Sequence, residues 1–278
     1  MDPQNIKEQI TQELKNLIPE LNEEENEFNI NHLTSKQNVV VEVIFKKKPT
    51  DFPKVVVLKL FQTENIDREF QVLKKLEEQQ ILVPKVLIHN NSCIMLEKIV
   101  GINLTSFINN NLKNISSLHD LKLHLRRNIK KSVKKLGKWF AILHKRNVVR
   151  ETEEEIVVLN KGDARLRDFL YNPETKEIYG LDFEDAYEGN YLDDLAWICC
   201  SLLDTDPGIF EMDDARHKIE LIKVFLKKYY KTNNEFRFNF NYFAEQLIEN
   251  LNTVIERRDL DSGLVRKEII LKNLTNLI

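Results

Sequence analysis

The chain has 278 residues, 42% of them hydrophobic, with 31% charged residues and a formal net charge of -3. That length holds one large domain or two lobes, and the near-neutral balance excludes a chain built globally for nucleic acid or an anionic membrane. Its three cysteines, Cys93, Cys199 and Cys200, lack metal-ligand spacing, which excludes a disulfide scaffold and points to a reducing, cytoplasmic setting. The opening MDPQNIKEQI has neither the basic nor the apolar region of a secretory leader. The apolar runs fall short of the roughly 20 residues that span a bilayer, so no membrane association is expected.

Residues 4–18 place Ile6, Ile10, Leu14, Leu17 and Ile18 on one face of an amphipathic helix, expected to pack on the first lobe. Glu23, Glu24, Glu25 and Glu27 read as a solvated turn. Residues 28–61 change to strand pattern, FNINHLT, VVVEVIF and KVVVLKLF, and predict an antiparallel meander. In the third strand the period of two sets Val55, Val57, Lys59 and Phe61 on one face. An ammonium among apolar neighbours needs an anion, and the helix expected over 67–79 offers Glu69 at the edge of its apolar face. The alternative is a solvated Lys59 on an edge strand.

Residues 85–88 and 93–101 predict another hairpin, with 97–101 as a hinge into a helical region. Residues 109–117, rich in Asn and Ser, read as a loop. A long helix follows with Ile129, Val133, Leu136, Phe140 and Leu143 as its apolar stripe and His144 as a structural hydrogen-bonder. Arg126, Arg127, Lys130, Lys131, Lys134, Lys135 and Lys138 lie off that stripe. They form either a plain solvated face or a dock for an anionic partner such as RNA or a phosphorylated substrate.

Residues 169–171 and 177–181 predict a hairpin about Asn172, Pro173, Glu174 and Thr175. Antiparallel pairing then makes Asp168 and Asp182 neighbours, with Asp163 on the loop just before. Three such carboxylates repel at neutral pH, which predicts a cation between them, and hard oxygen ligands point to Mg2+. The alternative is a polar, solvated loop. Asp194 is expected to cap an apolar helix through Leu203, followed by helices near 213–231, 240–257 and 264–277. Phe236, Phe238 and Phe240 around Arg237 read as core, with base stacking as the alternative.

These residues resemble the catalytic core of the aminoglycoside phosphotransferase and choline kinase superfamily, which shares the protein kinase fold. Its pattern, H-G-D, then Asn, then I-D-[FW]-E and D-L-A, is matched by Lys161-Gly162-Asp163, Asp168, Leu181-Asp182-Phe183-Glu184 and Asp194-Leu195-Ala196. Lys161 replaces the histidine and Asp168 the asparagine. The resemblance implies a bilobal α+β fold, with an antiparallel-sheet N-lobe at 1–100 and a mainly helical C-lobe at 101–278, enclosing ATP and Mg2+. It implies Asp163 as catalytic base for an acceptor hydroxyl, Asp182 and Asp168 as metal ligands, and Asp194 as a brace. Lys59, held by Glu69, would grip the α- and β-phosphates, and Glu97, Lys98 and Ile99 would meet the adenine edge. The loop 35–38 has no glycine, which leaves Ser35, Gln37 and Asn38 side chains for phosphate contact. Only twelve positions separate Asp182 from Asp194, short for a protein-kinase activation segment, which favours a hydroxyl-bearing small molecule as acceptor. Two alternatives stay open: a minimal atypical protein kinase resembling the RIO kinases, with a protein acceptor, and a non-catalytic kinase-shaped nucleotide-binding module.

Overall fold

The computed structural model describes residues 3–22, 27–35, 37–62, 66–112, 115, 117–152, 155–211 and 215–260. The acidic run at Glu23, Glu24 and Glu25, Lys36, the start of the helix expected from Asp213, and the helix expected over 264–277 lie outside the described residues. The chain divides into two compact units, one of residues Met1–Ile99 with Asp182–Glu184, the other of Val100–Leu181 with Asp185–Ile278. Three residues from far along the chain thus belong with the first unit, which a contiguous division at residue 100 does not express.

The first unit opens with helix α1, Pro3–Leu17, followed by strands β1, Phe28–Leu33, β2, Val39–Phe45, and β3, Val55–Leu60. Helix α2, Ile66–Glu78, precedes β4, Val86–His89, and β5, Cys93–Glu97. The strands form one antiparallel sheet in the order β1-β2-β3-β5-β4. Ile10, Leu14, Leu17 and Ile18 of the N-terminal segment are buried in one cluster with Val41, Val43, Phe45, Val56, Leu58, Leu60, Cys93 and Met95. Residues of alternating parity on β3 supply that face, so Lys59, between Leu58 and Leu60, points to the other side.

The second unit contains β6, Ile102–Asn103, α3, Leu104–Leu112, α4, Leu123–Arg146, β7, Val148–Glu151, and β8, Ile156–Asn160. It continues with β9, Phe169–Tyr171, β10, Ile178–Gly180, β11, Tyr187–Asn190, α5, Tyr191–Leu203, α6, Arg216–Thr232, and α7, Phe240–Arg258. Two small antiparallel sheets run β10-β9-β6 and β11-β8-β7. The hairpin pairs Phe169 with Gly180, and Leu181 N–H donates to the Asp168 carbonyl at 2.8 Å. The sheet of β7, β8 and β11 has no counterpart among the strands expected from sequence.

Two local expectations are corrected, and a third, the phenylalanines near Arg237 as core, holds. The Asn-rich segment expected as a loop from 109 is helical through Leu112, because Asn103 Oδ1 caps α3 by accepting from Thr105 and Ser106, and Leu104, Ile108 and Leu112 are buried at a helical period. The cap of α5 is Asn190, whose side chain accepts from Leu192 N–H at 3.0 Å, so Asp194 lies inside the first turn. The phenylalanines near Arg237 pack rather than present themselves for stacking on bases: Phe236 is buried with its ring 4.9 Å from Tyr191, and Phe238 lies 5.2 Å from Phe243. At Gly137 helix α4 comes close to α6, where a Cβ would lie 2.7 Å from the Phe225 carbonyl. Among the described residues no helix is long and apolar enough to cross a membrane.

Candidate active site

The first unit gathers three carboxylates about one ammonium. Lys59 Nζ lies 2.6 Å from Glu69 Oε2, 2.7 Å from Asp182 Oδ1 and 3.6 Å from Glu184 Oε2. Lys59, Glu69 and Glu184 are buried, whereas the Asp182 side chain is 46% exposed. Strand register makes the arrangement: Lys59 pairs with Val40 on one side and Ile94 on the other, in mid-sheet, so its ammonium has no route to water along an open edge. Burial works to lower the Lys59 pKa, but the charges of Glu69 and Asp182 overcome it and hold the value above that of a free lysine. Burial dominates at Glu69 and raises its carboxyl pKa despite Lys59. The Phe183 N–H points at Glu69 Oε1 at 3.4 Å.

Asn38 does not reach outward from the glycine-free loop. Its side-chain amide donates to Glu184 at 2.6 Å and its Oδ1 accepts from Gln62 N–H at 3.1 Å, because a buried carboxylate with one distant cation needs a donor. Ser35 is exposed and its hydroxyl accepts from Asn38 N–H at 3.3 Å. Glu97 closes β5 with its N–H donated to Lys85 and its carboxylate accepting from the Lys85 amide, so that N–H is not left for a base edge. Lys98 pairs with Glu42 at 3.2 Å, and Ile99 is half-buried.

In the second unit the loop after β8 is fixed by Asp194, which accepts from Lys161 N–H at 2.7 Å and Gly162 N–H at 3.1 Å. His144 holds Asp194 at 3.2 Å and meets the Tyr229 hydroxyl at 2.9 Å, all three buried. Gly162 has φ +72° and a Cβ there would lie 2.0 Å from the Asp185 carbonyl, so the loop requires glycine. Asp163 and Asp182 also have left-handed backbones, φ 34° and 61°, a conformation that short polar side chains tolerate and that collects at functional sites.

The repulsion expected among Asp163, Asp168 and Asp182 is relieved by the chain's own cations. Arg165 holds Asp163 with Nε and Nη2 at 2.9 and 2.6 Å from Oδ1, and Lys161 Nζ and Arg167 Nε each lie 3.7 Å from Asp168. Asp168 also accepts from Arg165 N–H at 3.1 Å. Among the described residues the carboxylates that converge within 4.8 Å are Glu69, Asp182 and Glu184, a set that contains Asp182 but neither Asp163 nor Asp168. Glu184 and Arg165 were not singled out from sequence, although each stands two positions from an aspartate that was. Arg257 and Trp197 carried no local signal. On the basic helix, Lys130 pairs with Glu220, Lys135 with Glu177 at 2.6 Å and Arg126 with His119 at 2.7 Å. Three of the seven cations considered as an anionic dock are therefore engaged within the chain.

No protein-family model and no curated protein sequence matches the chain. Solved structures do. A choline kinase from Cryptosporidium parvum Iowa II aligns over 98% of this chain and 94% of its own, at 12% identity and a TM-score of 0.56. The amicoumacin kinase hAmiN, in complex with AMP-PNP, Ca2+ and Ami, aligns over 100% and 93%, at 14% identity and 0.54. An aminoglycoside phosphotransferase from Streptomyces rimosus, in complex with ADP and streptomycin, aligns over 80% and 91%, at 13% identity and 0.54. The chain has the fold of these kinases. Within that kinase-like fold, the strand lysine and helix glutamate of the first unit and the Asp194-braced loop of the second are places where charged side chains are held while largely buried.

Proposed function

We propose that the chain is an ATP- and Mg2+-dependent phosphotransferase that transfers the γ-phosphate to a hydroxyl of a small molecule, in a reducing, cytoplasmic setting. The observation that carries this reading is Lys59, buried in mid-sheet and held between Glu69 and Asp182 at 2.6 and 2.7 Å. An ammonium kept protonated in a buried position is suited to phosphate oxygens. The donor set fits a hard divalent cation, since three carboxylates around one ammonium leave two formal negative charges and the half-exposed Asp182 supplies oxygen ligands. Asp182 would hold Mg2+, which when bound neutralises charge on the phosphates. Asp163 orients the acceptor hydroxyl and takes its proton, on a loop whose amides Asp194 fixes. The short stretch from Asp182 to Asp194 supports a small acceptor over a protein. Three free, buried cysteines support the reducing compartment.

Thermal denaturation with and without Mg-ATP tests the nucleotide part: a rise in Tm for the wild type, absent in Asp182→Ala, is expected. An equal rise in the variant, or none in the wild type, rejects the reading. Asp163→Ala should keep the Mg-ATP shift and lower ADP formation about a hundredfold or more. One observation favours a second reading, a nucleotide-binding module without turnover: Arg165 already holds Asp163 through two nitrogens. Stabilisation by Mg-ATP with no ADP formed on any alcohol selects that module.

A further inference from the structure

The second unit carries a cluster whose charge is the reverse of the one around Lys59. Beside its two contacts from Arg165, Asp163 Oδ1 lies 3.8 Å from Arg257 Nη1 near the end of α7. Both guanidinium groups sit over the indole of Trp197, their central carbons 5.6 and 5.9 Å from the ring centroid. Lys161 and Arg167 flank Asp168 at 3.7 Å each. Four cations stand against these two carboxylates, and with the Asp194 carboxylate on the amides of the same loop one formal positive charge remains around the residue read as the base. The Arg257 side chain is 51% exposed and meets Asp163 only at 3.8 Å, beyond hydrogen-bonding distance, so that contact does not occupy its N–H donors. A cationic alcohol brought to Asp163 would be repelled there. An anion would complete a planar, bidentate guanidinium site stacked on an aromatic ring.

We propose that the acceptor is an alcohol bearing a phosphate or carboxylate group, which Arg257 and Arg165 bind against Trp197. Resting on the phosphotransferase reading for its word acceptor, this assigns the substrate class. Arg165 exchanges one anion, the Asp163 carboxylate, for another, so the guanidinium stays paired while the partly exposed Asp163 is freed to face the hydroxyl. Arg257 and Trp197 thereby act as specificity-determining residues.

The test is titration of Mg-ADP-saturated protein, at matched ionic strength, with glycerol 3-phosphate, glycerate, glycerol and choline, followed by tryptophan fluorescence. Saturable change with at least one of the two anionic alcohols and none with glycerol or choline is expected, lost in Trp197→Phe, which assigns the signal. The apparent Kd should rise tenfold or more in Arg257→Ala and less in Arg257→Lys, which keeps the charge without the fork. Glycerol 3-phosphate against glycerate separates a phosphate site from a carboxylate site. The proposal is overturned by saturation with glycerol or choline, by no saturation with either anionic alcohol, or by an unchanged Kd in Arg257→Ala. Arg257→Gln serves as the second variant if the alanine protein does not fold. Tm shifts with Mg-ADP on the same samples keep the two readings apart. An intact shift without an anion response sinks only this inference, and an anion response without the shift sinks only the phosphotransferase.

Discussion

Around Lys59 one cation is enclosed by Glu69, Asp182 and Glu184, whereas around Asp163 and Asp168 two carboxylates are enclosed by Arg165, Arg257, Lys161 and Arg167. The first arrangement is mostly buried, and there the environment sets protonation: Lys59 keeps its proton because two carboxylates outweigh its desolvation. The second is partly exposed and three of its four cations are arginines, whose charge no pH near neutrality removes. Lys218 is the instructive third case. It is buried on α6 with its ammonium on the Thr205 carbonyl and, at 2.7 Å, the Thr205 hydroxyl, both neutral. Burial wins over the more distant Asp204, Asp206 and Glu211, and its pKa is pushed down to about 8. Depth alone does not decide how firmly a lysine holds its proton; a carboxylate in direct contact outweighs burial at Lys59, and burial prevails at Lys218.

The largest effect expected from breaking this contrast is at Lys59. Lys59→Met strands Glu69 and Glu184 in the interior and should lower unfolding stability by about 3–5 kcal/mol, read by urea denaturation. Adding Glu69→Gln should restore part of that loss, and a Lys59→Met protein as stable as the wild type would show that the cluster is not organised about its cation.

Lys218 should give an intermediate effect with a distinctive pH signature. Because its folded pKa is depressed from 10.5 to about 8, its contribution is fully present above about 10.5 and lost as pH falls through about 8. Wild-type stability should therefore climb relative to Lys218→Met between these values, by on the order of 2 kcal/mol. Parallel stability curves across that window would place the ammonium in water instead. The smallest effect is expected for Lys135→Ala, which removes a half-exposed pair with Glu177. A loss of about 0.5 kcal/mol, shrinking with added salt, separates such a surface pair from the Lys59 cluster.

What could be read without coordinates was local and periodic. Alternation on β3 and the helical period of α2 put Lys59 and Glu69 within reach of each other, and Asn172 and Pro173 marked the hairpin that aligns Phe169 with Gly180. The Lys161-Gly162-Asp163 and Asp182-Phe183-Glu184 segments registered through their joint resemblance to the phosphotransferase core pattern, since a single Gly-Asp or Asp-Phe pair carries little signal alone. The strands β7, β8 and β11 did not, since strands of four and five residues carry too little alternation to register.

The amino-acid order by itself determined the longer elements, the strands of the first sheet and the identity of the charged residues. Only the tertiary structure decided their partners: that Asn38 turns inward to Glu184, that Asp168 meets Lys161, and that Arg257, 94 positions beyond Asp163, stands beside it over Trp197. The physical reason is that periodicity fixes the side of an element on which a residue projects, while ionic contacts fall off over a few ångströms and depend on where distant segments are brought together.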